Sequence, residues 1–152
     1  MAPPAGNPTG MSALTETDEQ HLRRAIELAG TARAAGDGPF GSLLVAADGQ
    51  VLAEEVNTER TDDDITAHPE LKLARWTARR LDADEAGRAT MYTSCQPCGM
   101  CATAIERSGL GRVVYALSAE QLAGLRPAGA APPVAYAGPA LFDEARVPVE
   151  VS

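Results

Sequence analysis

Apolar residues recur at helical spacing in two stretches of the chain, and each stretch predicts an amphipathic helix. The first helix is predicted to run to about residue 35, and Thr17 and Gln20 at its start have the spacing of a capping box. Its predicted buried face consists of Leu22, Ile26, Ala29 and Ala32. The second helix is predicted over residues 69–81, with a buried stripe made of Leu71, Ala74, Ala78 and Leu81.

Apolar runs bounded by turn residues predict the strands. Residues 40–47 and 50–56 flank Asp48-Gly49, which is typical of a hairpin turn. Residues 89–94 and 112–117 flank a predicted helix at 98–107, and this order implies that the two strands pair in parallel. After residue 117 the pattern predicts, in order, a helix at 118–125, a loop at 126–133, a helical segment at 139–146 and a short edge strand at 147–151. The predicted fold is α/β, with a mixed five-stranded sheet flanked by helices.

Length and composition predict one domain that binds a small molecule. A chain of 152 residues with 45% hydrophobic and 22% charged residues is long enough for one core. Residues 1–14 are rich in Pro, Gly and Ala and are predicted to be a disordered tail, which leaves residues 15–152 as the domain. The formal net charge of -8 argues against a protein that grips a nucleic-acid backbone.

Two further features of the sequence bear on location. No apolar run approaches the length of a membrane span, and the N-terminus lacks the pattern of a signal peptide. The three cysteines, Cys95, Cys98 and Cys101, are too close together in the chain for a disulfide framework. We therefore expect a cytoplasmic protein with no membrane partner, whose cysteines bind a metal.

A catalytic zinc site is the chemistry that these residues indicate. Such a site takes three protein ligands and leaves the fourth position to water, and His68, Cys98 and Cys101 provide three. Glu70, two residues after the histidine, is not needed as a ligand and is placed to take a proton from the water. Pro69 and a second proline at position 97 suit the first turns of helices, so two helix N-termini are predicted to face one metal.

Other interpretations of the cysteine motif remain. A Cys-x-x-Cys pair can be a redox centre or half of a structural zinc site, and the structural site needs a fourth ligand from Cys95 or His21.

These motifs together resemble the zinc-dependent nucleobase and nucleoside deaminases of the cytidine and deoxycytidylate deaminase superfamily, which share a His-x-Glu and Pro-Cys-x-x-Cys signature. From residue 22 to residue 117 the chain is similar to the bacterial guanine deaminase branch. The matching landmarks are Gly38-Pro39-Phe40-Gly41, Asn57, Asp64-x-Thr66-Ala67-His68 and Thr93-Ser94-Cys95-x-Pro97-Cys98.

The resemblance implies a three-layer α/β/α fold, zinc as the cofactor and hydrolytic deamination of an exocyclic amine, with Glu70 as the proton carrier. It also implies that Asn57 hydrogen-bonds the base, that Phe40 lines the base pocket and that the protein is a homodimer. Pro69 departs from the family, because relatives carry a residue there whose backbone N–H can donate to the substrate, and proline has none.

The substrate is therefore open among guanine, cytosine, isocytosine, a triazine-like ring and a nucleoside. Two alternatives are a tRNA adenosine deaminase, against which the acidic charge argues, and a non-catalytic zinc module, against which Glu70 argues.

Overall fold

A computed structural model describes residues 13–129 and 131–151 of the chain. Its elements, in chain order, are α1 (Glu16–Ala34), β1 (Gly41–Val45), β2 (Val51–Val56), α2 (Pro69–Arg80), α3 (Ala83–Gly87), β3 (Thr90–Cys95), α4 (Gly99–Ser108), β4 (Arg112–Leu117), α5 (Ala119–Leu125) and α6 (Phe142–Ala145). The strands form one mixed sheet in the order β2-β1-β3-β4. β1 is antiparallel to both of its neighbours, and β3 is parallel to β4, as the strand–helix–strand order predicts.

Alternate side chains of the central strands enter two cores, one on each face of the sheet. On one face Leu43 of β1 packs in a cluster with Leu28 of α1. On the other face Leu44 packs in a cluster with Leu73 of α2 and Ile105 of α4. Because successive strand residues point to opposite faces, helices cover both sides of the sheet.

A glycine allows α1 to pack closely against the sheet. A Cβ at Gly41 would lie 2.4 Å from Leu28 Cβ and 2.6 Å from Ala29 N. Those separations are far inside van der Waals contact, so the backbones of α1 and β1 can approach only because residue 41 has no side chain.

The buried faces of the two long helices differ in part from the predicted ones. The capping box of α1 joins Thr15 and Asp18 rather than Thr17 and Gln20, and Ile26 is half exposed. In α2 the predicted stripe was wrong at Ala78, which is exposed; the residues of this helix that are buried are Pro69, Glu70, Leu73, Ala74 and Thr77. Apolar spacing could not identify this face because two of its members are polar.

The predicted fifth strand at 147–151 was also wrong. Residues 147–151 contain no strand, and the described part of the chain forms four strands in total. The backbone N–H groups of Val149 and Glu150 donate to the carbonyl of Arg146, at 3.0 and 2.9 Å. These groups are therefore used within a turn that follows α6, and Pro148 has no N–H to offer a neighbouring strand.

Two predictions from the sequence concern the N-terminal tail and membrane-spanning segments. Residues 1–12 of the predicted tail lie outside the described residues, so the limits of the tail and of the domain stay predictions. Within the described ranges, the helices fall short of the length and hydropathy that crossing a membrane requires.

Candidate metal centre and active site

Three metal-binding side chains meet where two helices begin. His68 is the N-cap of α2, Cys98 is the N-cap of α4, and Cys101 lies in the first turn of α4. His68 Nδ1 is 3.7 Å from Cys98 Sγ and 3.5 Å from Cys101 Sγ, and the three ligand atoms lie within 4.8 Å of one another. The predicted meeting of two helix N-termini is confirmed.

The spacing of these donors fits a tetrahedral zinc ion. Zinc bonds of ~2.3 Å to sulfur and ~2.0 Å to nitrogen place the two donors about 3.5 Å apart across a tetrahedral angle. The two observed nitrogen–sulfur separations are close to that distance. A nitrogen and two sulfurs also form a donor set that zinc prefers.

Neither fourth ligand considered for a structural zinc site joins this cluster. Cys95 is buried at the end of β3, and His21 lies on α1 with its ring 4.8 Å from the ring of Tyr92. Across the part of the chain that the structure describes, the cluster has only the three members. Three ligands and an open position are typical of a catalytic zinc site.

The thiol of Cys101 binds a metal only after losing a proton. Burial, with a smaller contribution from the nearby carboxylate of Glu70, raises the pKa of Cys101 well above its usual range. The helix N-terminus therefore does not by itself keep this side chain as a thiolate, and metal binding here releases a proton.

Glu70 lies beside the cluster in the first turn of α2. Its side chain is 6% exposed, and burial raises the pKa of its carboxyl group. The backbone N–H of Glu70 itself and the nearby His68 lower that pKa by smaller amounts. Burial thus moves this carboxyl toward the range in which it can both hold and release a proton.

A small cleft of about 90 Å³ opens beside the metal donors. It is lined by Phe40, Asn57, His68, Pro69, Glu70, Cys95, Gln96, Cys98 and Leu122. The structure therefore brings every predicted site residue to this cleft except Cys101, which is buried behind it.

Sequence reasoning did not identify Gln96 and Leu122 as lining residues. Gln96 follows β3, and its Oε1 accepts a hydrogen bond of 2.9 Å from the backbone N–H of Ala119 at the start of α5. That contact brings α5, and with it Leu122, over the cleft. No motif marked either residue, since their position depends on how α5 returns to the end of β3.

A third residue that sequence reasoning missed is Glu59, which lies in the loop after β2. Glu59 Oε1 accepts a 2.7 Å hydrogen bond from Asn57 Nδ2 and lies 3.2 Å from His68 Nε2. The backbone N–H of Glu59 donates to Asn57 Oδ1 at 2.9 Å. In the sequence this glutamate is one acid among several in a polar loop, so nothing distinguished it.

Comparisons with known proteins agree with this geometry. The family model described as "Cytidine and deoxycytidylate deaminase zinc-binding region" matches residues 15–117. A probable cytosine deaminase of Schizosaccharomyces pombe is 35% identical over 140 residues, which are 91% of this chain and 84% of that protein. The tRNA-specific adenosine deaminase of Haemophilus influenzae is 36% identical over 104 residues, which are 68% of this chain and 60% of that protein. The X-ray structure of guanine deaminase from Bacillus subtilis superposes with a TM-score of 0.73 at 30% identity, covering 90% of this chain and 92% of that one.

Proposed function

The chain belongs to the cytidine and deoxycytidylate deaminase zinc-binding family, and we propose that it removes the exocyclic amine of a free nucleobase or a related aminoheterocycle. It is a deaminase, a hydrolase whose zinc site is of the His/Cys/Cys type. The main support for this class of substrate is the small cleft beside the metal donors. The aromatic ring of Phe40, the buried amide of Asn57 and the buried acid Glu70 all line it.

The metal ligands and Glu70 have separate roles in the proposed reaction. His68, Cys98 and Cys101 would hold the ion, which would supply a water molecule of lowered pKa. The carboxylate of Glu70 takes a proton from the attacking water and passes it to the ring nitrogen beside the reacting carbon. Glu70 then takes the second proton of that water from the hydroxyl now bonded to the ring carbon and carries it to the amine. The carbon–nitrogen bond breaks, ammonia leaves and a carbonyl remains.

Asn57, Phe40 and Pro69 are proposed to bind the ring. Asn57 is 1% exposed, so its amide is held in place at the wall of the cleft, and Phe40 offers an apolar ring surface. Pro69 lines the cleft without an N–H group, so a substrate acceptor facing it stays unpaired at a cost of about 1 to 3 kcal/mol. This missing donor is the reason that guanine is one candidate among several, together with cytosine, isocytosine and aminotriazines.

The test is ammonia release by the zinc-loaded protein across guanine, cytosine, isocytosine, an aminotriazine, cytidine and guanosine. We expect turnover of at least one free base, and none by the Glu70→Gln protein under the same conditions. Turnover of nucleosides with every free base inert would refute the proposed substrate class and support a nucleoside deaminase. Zinc-loaded protein inert towards the whole panel would contradict it as well.

A tRNA adenosine deaminase is the second candidate function, which the 36% identity to the Haemophilus influenzae enzyme favours. The net charge of -8 opposes it, because binding a phosphate backbone depends on Lys and Arg. Conversion of adenosine to inosine in a tRNA anticodon stem-loop would establish this function, and no conversion is expected.

We also propose that the protein is a homodimer. Large apolar side chains of the C-terminal segment are left exposed in the single chain; they include Val134, Tyr136, Leu141, Phe142, Val147 and Val149. Where such side chains form one contiguous patch, the patch marks a contact with a protein, a membrane or a ligand, and we assign it to a second copy of this chain. Light scattering coupled to size exclusion should give twice the chain mass, and a monomer at micromolar concentration would contradict the proposal.

A further inference from the structure

We propose that Glu59 is a positioning residue that holds the metal ligand His68 and the cleft residue Asn57 through one carboxylate oxygen. Glu59 Oε1 lies 3.2 Å from His68 Nε2 and accepts the 2.7 Å hydrogen bond from Asn57 Nδ2. The inference rests on the proposed zinc site, and it does not depend on which ring is the substrate.

The contact to His68 favours one tautomer of the imidazole ring. In a neutral imidazole one nitrogen carries the proton and the other carries a lone pair. A carboxylate oxygen facing Nε2 favours the proton on Nε2, which leaves the lone pair on Nδ1. Nδ1 is the nitrogen that faces Cys98 and Cys101, at 3.7 and 3.5 Å. Glu59 therefore orients the ring so that its free lone pair faces the two thiols, as carboxylates do for other zinc histidines.

The contact to Asn57 is reciprocal. Asn57 Nδ2 donates to the side chain of Glu59, and the backbone N–H of Glu59 donates to Asn57 Oδ1 at 2.9 Å. These two bonds determine which end of the amide is oxygen and which is nitrogen. They use one of its two N–H groups and one of the two lone pairs on its oxygen, so the amide can still bind a substrate.

The backbone around Glu59 is held by neighbouring contacts. The carboxylate of Asp37, a buried residue, accepts hydrogen bonds from the backbone N–H groups of Arg60 and Thr61, at 3.0 and 2.9 Å. The carbonyl of Glu59 accepts from the N–H of Asp64 at 3.0 Å. On the other side of Glu59, the N–H of Thr58 donates to the carbonyl of Ala67 at 3.0 Å. Because the backbone is held on both sides, the side chain of Glu59 can position its two partners.

The experiment compares Glu59→Ala and Glu59→Gln with Glu106→Ala, in which an exposed acid of α4 is removed instead. Zinc affinity is measured in the full chain by competition with a chromophoric chelator. We expect zinc binding to weaken about 10- to 100-fold in Glu59→Ala, which is the usual result of losing such a partner. Glu59→Gln should weaken it less, since an amide oxygen can still accept both bonds. Glu106→Ala should bind zinc as the wild type does.

A second measurement reports directly which nitrogen of the His68 ring is protonated. The chain has two histidines, so ¹H–¹⁵N spectra of the imidazole nitrogens can be assigned with a variant of His21. We expect the zinc-loaded wild type to show His68 bound through Nδ1 and protonated at Nε2, and Glu59→Ala to lose the hydrogen-bonded Nε2–H signal. This readout involves no substrate, so its result is separate from the outcome of the ammonia-release panel.

Two results would overturn the proposal. One is a Glu59→Ala protein, or a Glu59→Met protein if the alanine variant fails to fold, that binds zinc within twofold of the wild type and keeps the same Nε2–H signal. The other is an equal loss of zinc affinity in Glu106→Ala, which would show that removing any acid near the site has this effect.

Discussion

Two buried acids in this chain have opposite surroundings, although each lies in the first turn of a helix. Asp18 of α1 is 4% exposed and Glu70 of α2 is 6% exposed. Asp18 accepts hydrogen bonds from Tyr92 Oη at 2.6 Å, from both terminal nitrogens of Arg112 at 3.0 Å and from the N–H of Thr15 at 3.0 Å. No other residue in the described ranges donates a hydrogen bond to the side chain of Glu70.

The pKa values of the two acids move in opposite directions for this reason. The hydrogen bonds and charge of Arg112, helped by Thr15 and Tyr92, hold the pKa of Asp18 well below its usual range. Burial alone raises the pKa of Glu70. Tyr92 has its own pKa raised to about 12 by burial and by its hydrogen bond to the Asp18 carboxylate. An acid surrounded by donors stays charged and supports the fold, whereas one without them is free to exchange protons.

The largest expected effect follows from replacing Glu70. We expect Glu70→Gln to lower kcat by about two to four orders of magnitude, because the amide cannot carry a proton. Zinc content should stay near the wild-type value, since Glu70 is not needed as a ligand. The free energy of unfolding should be unchanged or higher at neutral pH, because the burial that raises the pKa of Glu70 makes its charge unfavourable in the folded state. Steady-state ammonia release, metal analysis and urea unfolding measure the three quantities, and a variant with unchanged kcat would refute the role of Glu70.

Replacing Asp18 should lower the stability of the protein and leave kcat unchanged, which is the reverse of the result expected for Glu70→Gln. We expect Asp18→Ala to lower the free energy of unfolding by roughly 1.5 to 3 kcal/mol, because the fold loses the charged hydrogen bonds from Arg112. The loss is smaller than for a fully buried pair, since the side chain of Arg112 is 40% exposed and water can solvate its charge. The protein that remains folded at low temperature should keep a kcat close to wild type. Tyr92→Phe is the matched control and should cost only about 1 kcal/mol. Equal losses in the two variants would mean that the ion pair contributes little.

Acid should reduce the difference between wild type and Asp18→Ala. The folded-state pKa of Asp18 lies below its unfolded value of about 3.9. The contribution of Asp18 to the free energy of unfolding is therefore complete above about pH 3.9, and it is lost as the pH falls through the folded-state pKa. Urea unfolding from pH 7 to pH 3 should therefore show wild-type stability falling towards that of the variant. A difference that stays constant over this range would contradict the linkage.

The smallest expected effect concerns a third buried polar side chain, which does not line the cleft. Thr77 of α2 is fully buried, and its Oγ1 has no hydrogen-bond partner among the described residues. Thr77→Val removes this hydroxyl at nearly constant shape, so we expect a gain of about 1 kcal/mol in the free energy of unfolding. Thermal unfolding at neutral pH, with Thr103→Val on the exposed side of α4 as the control, would detect it. Destabilisation by Thr77→Val would show that the hydroxyl has a partner.

The sequence predicted the metal donors well because short spacings determine where residues lie on a helix. His68 and Glu70 are two residues apart across the start of α2, and Cys98 and Cys101 are three apart across the start of α4. Once each helix begins at its proline-marked end, these positions follow from local geometry alone. The four strands of the sheet were predictable for a similar reason, since each is a short segment that turn residues bound.

What the sequence determined by itself is therefore local: the helices and strands other than α3 and the mistaken fifth strand, the donor set and the acid beside it. The tertiary structure decided which distant residues share a space. Asp18 contacts Tyr92 and Arg112 across 74 and 94 positions of chain, and Leu122 reaches the cleft through α5. Glu59 lies only nine residues before His68, yet the loop between them must fold back before they meet. Such contacts depend on sheet register and loop closure, and no local spacing encodes either one.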